Sequence, residues 1–425
     1  MLRYLTAGES HGRALVVIIE GLPAGLPVVA ADIVDELARR RLGAGRGPRM
    51  RFEQDQLTLL AGVRHGQTLG SPVAIEVANS EWTRDPGKWG EEMSPEPGKT
   101  TAPLTKPRPG HADLAGMQKY DLVDARDVLE RASARETAAR VAAGAVCKQL
   151  LGRLGIDVIS HVIQIGSVRS SGVRPEPGDL GTVDESPVRS FDPDAAGAML
   201  AEIDQAQEAG DSLGGVVEVL GYGVPVGLGS HVHWDRKLDA LLAQAMMSIQ
   251  AVKGVEIGDG FEVASRRGSQ AHDPISWDSH AGEYRREGTA AGGVEGGMST
   301  GGLLVAHLAM KPLATLNRPT LKTVDTLTKA ETVSFKERTD VTAVPAMGVV
   351  AESMTALVLA NEVTRKFGGD SLGELCRNHA TYIEQVRRHD RTGTSDAAGT
   401  GATAGTGAGT GDAGTGGSDA IRARQ

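Results

Sequence analysis

Residues 135–154 of this chain read RETAARVAAGAVCKQLLGRL. Val141, Ala145 and Leu151 fall near one face at helical spacing, and the glycine of Leu154-Gly155 stops the run, so the stretch predicts a long helix. Working outward, residues 238–252 and 346–367 read as strong helices. Asp192-Pro193 supplies an N-cap and a first-turn proline for another, which runs to about Glu208. Residues 32–41 are helical too, with Ile33, Val34 and Leu37 inward and Gly43 at the end. The strand-like runs lie elsewhere. Residues 14–19 are β-branched and bounded by glycine, and residues 57–63, 72–78, 215–221 and 303–310 look like further strands. Strands and helices do not alternate regularly, which disfavours a doubly wound sheet or a barrel.

At 425 residues the chain has room for one large or two ordinary domains. Its net charge of -9 argues against a nucleic-acid partner, whose footprint is a basic domain. Cys147 and Cys376 are too few for a disulfide framework or a zinc site, and no metal is expected. The N-terminus lacks a signal pattern, the apolar run 14–19 is far too short to span a bilayer, and no longer run appears, so a cytoplasmic protein without a membrane partner is expected. Residues 1–390 read as one catalytic domain. From 391 to 425 the chain is almost wholly Gly, Ala, Thr, Ser and Asp, and it reads as a disordered tail.

Two histidines sit in glycine-flanked polar motifs, Gly8-Glu9-Ser10-His11-Gly12 and Arg108-Pro109-Gly110-His111-Ala112-Asp113, where a ring is presented rather than packed. Residues 79–109, which deliver the second histidine, form a long segment without usable periodicity, more often a lid than a linker. Arg40 and Arg46 either converge across a glycine loop on an anion or belong to a solvated helix end whose charge complements the helix dipole. That loop fails the dinucleotide fingerprint, because Pro48 occupies the third glycine position and a helix precedes it. The motif Arg131-Ala132-Ser133-Ala134-Arg135-Glu136-Thr137 reads as a helix N-terminus with an anion site, or as an ordinary capping box. Arg338-Thr339-Asp340 sets a guanidinium beside a carboxylate. Histidine proton donors among guanidinium forks suit a polyanionic small molecule that loses a phosphate or carboxylate.

In this order, these motifs resemble the chorismate synthase family, together with Gly210-Asp211-Ser212, the stretch from Met247 to Gly258, a glycine cluster through Gly296, and Lys311-Pro312. The resemblance covers residues 1 to 370. It implies an α+β sandwich in which long central helices lie between antiparallel sheets. It also implies a homotetramer that eliminates phosphate and a ring proton from 5-enolpyruvylshikimate 3-phosphate. Such an enzyme needs reduced FMN from an external reductant. By the same resemblance His11 protonates the departing phosphate, His111 holds the anionic reduced flavin, and Asp340 assists proton movement at the flavin. Ser10, Arg40, Arg46, Arg108, Arg135 and Arg338 would grip the substrate, and Arg40 and Arg46 are also where the family places NADP(H). Flavin contacts would come from Arg131, Ala132, Ser133, Gln250, Ala251, Gly296, Lys311, Pro312, Leu313, Ala314, Thr315 and Arg338. The chain departs from many relatives at Thr289, Ala290 and Gln250, which puts contacts made there in doubt. Two rivals stay open: a flavin- or nicotinamide-dependent oxidoreductase, and a non-catalytic anion-binding scaffold.

Overall fold

The computed structural model describes residues 1–47, 55–97, 101–335 and 339–392. Two antiparallel sheets enclose a pair of long helices. The first sheet has four strands in the spatial order Arg3–Ala7, Ala14–Glu20, Val73–Ala78 and Leu57–Ala61. Leu15, Val17 and Ile19 on one strand and Val73, Ile75 and Val77 on its neighbour turn inward, because side chains alternate across a strand, while Ile18 points outward. The second sheet runs Val252–Ile257, Leu304–Met310, Gly215–Tyr222, Asp157–Ile165 and Val168–Arg169.

Between the sheets lie helices Thr137–Gly152 and Val344–Phe367, the first against the four-stranded sheet and the second against the five-stranded one. They meet at Gly144, where an added Cβ would stand 2.3 Å from Cβ of Ser353. Only glycine allows that approach. Buried alanines surround Thr137–Gly152 on all sides, so the helix is enclosed and not merely one-faced, and a single apolar cluster runs through both sheets and both helices. The expected α+β sandwich is therefore the architecture found.

One polar knot crosses this core. Glu352, fully buried on Val344–Phe367, accepts from Arg39 at 2.8 and 3.0 Å, from Ser160 at 2.7 Å and from Arg189 at 3.2 Å, and it pairs with Lys148. Glu36 and Asp184 balance the remaining cationic charge. Burial alone would raise the Glu352 pKa, but Arg39, Lys148 and Arg189 outweigh it and hold the carboxyl far below the usual range.

Several expectations need correction. Val34 is exposed, because only Ile33 and Leu37 of the Ala30–Arg39 helix face the core. The helix expected to reach 252 ends at Met247. Ala251 takes a left-handed φ of 67°, and Val252 opens a strand. Strand Asp157–Ile165 was unforeseen, since Ser160 and His161 interrupt its apolar run and find partners in Glu352 and Glu218. Within 79–109 lie two short helices, Ser80–Arg84 and Pro86–Glu92. Val344–Phe367 is long and apolar enough to cross a membrane, contrary to the reading that no such run exists, but 89% of its most apolar window is buried inside the molecule. Arg338, Pro48 and the tail beyond Thr392 lie outside the described residues.

Candidate active site

Both core helices begin at the wall of one cleft of about 740 Å³, within the range of about 300–1,000 Å³ that encloses small ligands. Among the described residues, seven cationic side chains line it against two carboxylates: Arg40, Arg46, Lys88, Arg108, Arg126, Arg135 and Lys311 accompany Glu81 and Asp340. Helix N-termini add to this positive field, since their first N–H groups lack partners within the helix. Met310, Leu313, Met347 and Val350 add apolar surface to the lining.

The tight turn of Gly8, whose φ is 103°, carries Ser10 and His11 to the cleft. The His11 ring lies within 2.9 Å of Oε1 of buried Glu130, and the His11 backbone N–H donates to Oε2 at 2.8 Å. Trp89 stacks on the ring at 4.0 Å with an interplanar angle of 15°. Although burial would raise the Glu130 pKa, the hydrogen bonds from His11 and the nearby charges of His11 and Arg126 hold this carboxyl below its ordinary range.

His111 is built in a similar way. Its Nδ1 bonds to fully buried Asp113, whose other oxygen takes the Arg108 backbone N–H at 3.0 Å and Nε at 2.8 Å. Against the opposing effect of burial, His111 and Arg108 hold the Asp113 carboxyl well below the usual range. Arg108 also donates to Thr315 at 3.1 Å and lies over Phe335. Lys311 bonds to the Gly110 carbonyl and so ties the second histidine loop to the strand end at Met310.

The structure gathers most of the expected site residues. Ser10, His11, Arg40, Arg46, Arg108, His111, Ala132, Ser133, Arg135, Gln250, Ala251, Lys311, Leu313, Ala314, Thr315 and Asp340 all line the cleft. Asp340 pairs with Arg46 at 3.1 Å and accepts from the Gly47 N–H at 2.6 Å. Arg135 is committed to Asn79, Asp55 and the Ala78 carbonyl, so it braces the wall. Other expectations do not meet there. Arg131 ends the Arg126–Ala132 helix and turns to the carbonyls of Thr6 and Gly8 at 2.9 and 3.0 Å, so the motif is a helix junction and not a helix start with two converging arginines. Gly296 lies in a two-residue hairpin and Pro312 behind Lys311, both off the cleft wall. Thr289 donates nothing to the cleft; it accepts from Arg174. Sequence reasoning missed Glu130, Trp89, Lys88 and Arg126. The only local signal was the spacing of Arg126 and Glu130, four apart on a helix and paired at 3.2 Å.

A flavin fits these residues. Gln250, which lines the cleft, donates to Glu136 at 3.2 Å, and its buried Oε1 has no donor among the described residues. The apolar part of the lining suits a ring system with polar and apolar edges. No His, Cys, Asp and Glu group among the described residues is arranged for a metal ion.

Cations that hold a leaving anion, beside imidazoles that can pass it a proton, are the equipment of a lyase acting on a small polyanion. The family model described as chorismate synthase matches residues 2–364. Chorismate synthases of Leifsonia xyli subsp. xyli, Streptomyces coelicolor and Salinispora tropica are 56%, 57% and 58% identical to the chain. These alignments span 92%, 91% and 91% of this chain and 97%, 98% and 99% of those proteins. A solved chorismate synthase structure matches with a TM-score of 0.72 at 40% identity, covering 91% of this chain and 98% of that one. The chain belongs to the chorismate synthase family, and its enzyme class is that of the carbon–oxygen lyases.

Proposed function

We propose that this cleft carries out the family's reaction, the anti-1,4-elimination of phosphate and a ring proton from 5-enolpyruvylshikimate 3-phosphate to give chorismate. The observation that carries this reading is the convergence of His11 and His111, each backed by a buried carboxylate, on one cation-lined cleft. Arg40, Arg46 and Arg108 hold the phosphate and the two carboxylates, with Ser10 beside His11. A substrate with this much negative charge enters a water-poor site only where guanidiniums offset its charge. His11 gives its proton to the departing phosphate, since an alkyl phosphate leaves poorly until protonated or strongly hydrogen-bonded.

Reduced FMN, when bound, supplies the electron-rich partner that activates the weakly acidic ring proton. Gln250, Ala251, Lys311, Leu313, Ala314 and Thr315, with Ala132 and Ser133, would hold it, and His111 would offer it a hydrogen bond. Asp340 helps move the proton. Arg40 and Arg46 are anion ligands for substrate and for NADP(H) alike. The working enzyme is a cytoplasmic homotetramer fed by an outside flavin reductant. The oxidoreductase and scaffold rivals are not supported by the chain's family.

The test is substitution. His11→Ala and His111→Ala each lower turnover by roughly a hundredfold or more, the scale of general acid catalysis, with the fold intact. Near wild-type rates for both at saturating reduced FMN would remove the rings from the chemistry.

A further inference from the structure

We infer that Glu130 is the positioning residue of His11, fixing which ring nitrogen faces the substrate in the elimination. This rests on the reading of His11 as the acid. The geometry is specific. The backbone of Glu130 accepts the Ser10 N–H at 3.0 Å, and its side chain accepts the His11 N–H at 2.8 Å and meets Nδ1 at 2.9 Å. One residue thus docks the whole turn. A carboxylate has no proton to give, so Nδ1 must carry the hydrogen and Nε2 is turned toward the cleft. Trp89, stacked on the ring, blocks the rotation that would exchange the two nitrogens.

Glu130 is buried, so its carboxylate meets the turn and the ring with little competition from water. The other charged groups around the pair are Arg126, 3.2 Å from Glu130, Glu92 on the far side of Arg126, and Lys88, which lies 4.4 Å over the Trp89 ring. Against burial, the hydrogen bonds and charge of His11, and to a lesser extent Arg126, hold the Glu130 carboxyl below its ordinary range. Glu130 touches neither substrate nor flavin in this scheme and acts only through the ring.

Glu130→Gln separates this role from simple bracing. The carboxylate meets the His11 ring Nδ1 through both oxygens, at 2.9 and 3.1 Å, and glutamine replaces one of those oxygens with an NH2 donor that cannot accept from the ring. In the full-length enzyme under anaerobic conditions with excess reduced FMN, Glu130→Gln lowers kcat on the order of tenfold to a hundredfold. KM and FMN binding stay within about threefold of wild type, as for an interaction used mainly in the transition state. Glu130→Asp, which restores a carboxylate with two acceptor oxygens, recovers part of the loss. A wild-type kcat in Glu130→Gln beside a slow His11→Ala would overturn the inference. So would a loss confined to FMN or substrate binding, or one that Glu130→Asp does not relieve. A fast His11→Ala would instead sink the assignment of the acid itself, so the two failures are distinguishable.

Discussion

Asp340 shows how much a single residue's role depends on what it faces. One oxygen accepts the Gly47 N–H and the other pairs with Arg46, both on the cleft wall. Asp340→Asn keeps an acceptor for Gly47 but turns an amide toward the guanidinium. If Asp340 helps move the proton, this change lowers kcat at saturation by roughly tenfold or more while KM stays nearly constant, because the lost interaction belongs to the transition state. Steady-state kinetics with excess reduced FMN decide it; a raised KM at unchanged kcat would leave Asp340 only as the partner of Arg46. The residues legible in sequence were those whose chemistry is local. Ser10, His11, Arg108 and His111 stand in short glycine-flanked motifs, and Asp113 lies two residues beyond His111. Glu130 was not legible, because its bond to His11 joins positions 119 apart, and Trp89 sits in a segment without periodicity.

Among the elements, the crossing of Thr137–Gly152 and Val344–Phe367 sets the cleft, since both helices begin at its wall. Gly144→Ala would place a Cβ 2.3 Å from Cβ and 2.6 Å from Cα of Ser353, and backbone cannot yield as a flexible side chain does. Overpacking of this kind costs about 1–3 kcal/mol, so thermal unfolding of the variant begins several degrees lower, measured by calorimetry. An unchanged melting temperature would mean that the helices are free to part. Helix 135–154 could be read from its pattern, but its enclosure on every side could not. Alanine and glycine bury as readily as larger residues without announcing a face. The overrun from Met247 to Val252 has another cause: a left-handed φ at Ala251 leaves no mark in the residue type.

For the whole molecule, buried carboxylates make acid the weak side. Glu352, Glu218 and Asp113 all sit far below the ordinary carboxylate range in the folded chain, with burial opposed by Arg39, Lys148 and Arg189, by His161 and His307, and by His111 and Arg108 respectively. A depressed folded pKa contributes stability that is present above the unfolded value of about 4.3 for Glu and 3.9 for Asp, and it is lost as pH falls below it. Melting temperature should therefore hold from neutrality to about pH 5 and fall steeply below about pH 4. Glu352→Gln should cost about 3–5 kcal/mol at pH 7, since it strands buried cations, and should flatten that acid decline. An acid dependence as steep as wild type would place the titration elsewhere. The lack of alternation disfavoured a doubly wound sheet or a barrel, and the family resemblance implied the sandwich, whereas this knot was not legible, because Arg39, Lys148, Arg189 and Glu352 come from four separate stretches. The central claim, that the cleft eliminates phosphate without net redox change, is tested most directly by anaerobic turnover of 5-enolpyruvylshikimate 3-phosphate with a trace of reduced FMN. The account predicts many equivalents of phosphate and chorismate per flavin, with the flavin spectrum still that of the reduced form at the end. One equivalent of product per flavin oxidised, or tight binding with no phosphate released, would contradict it.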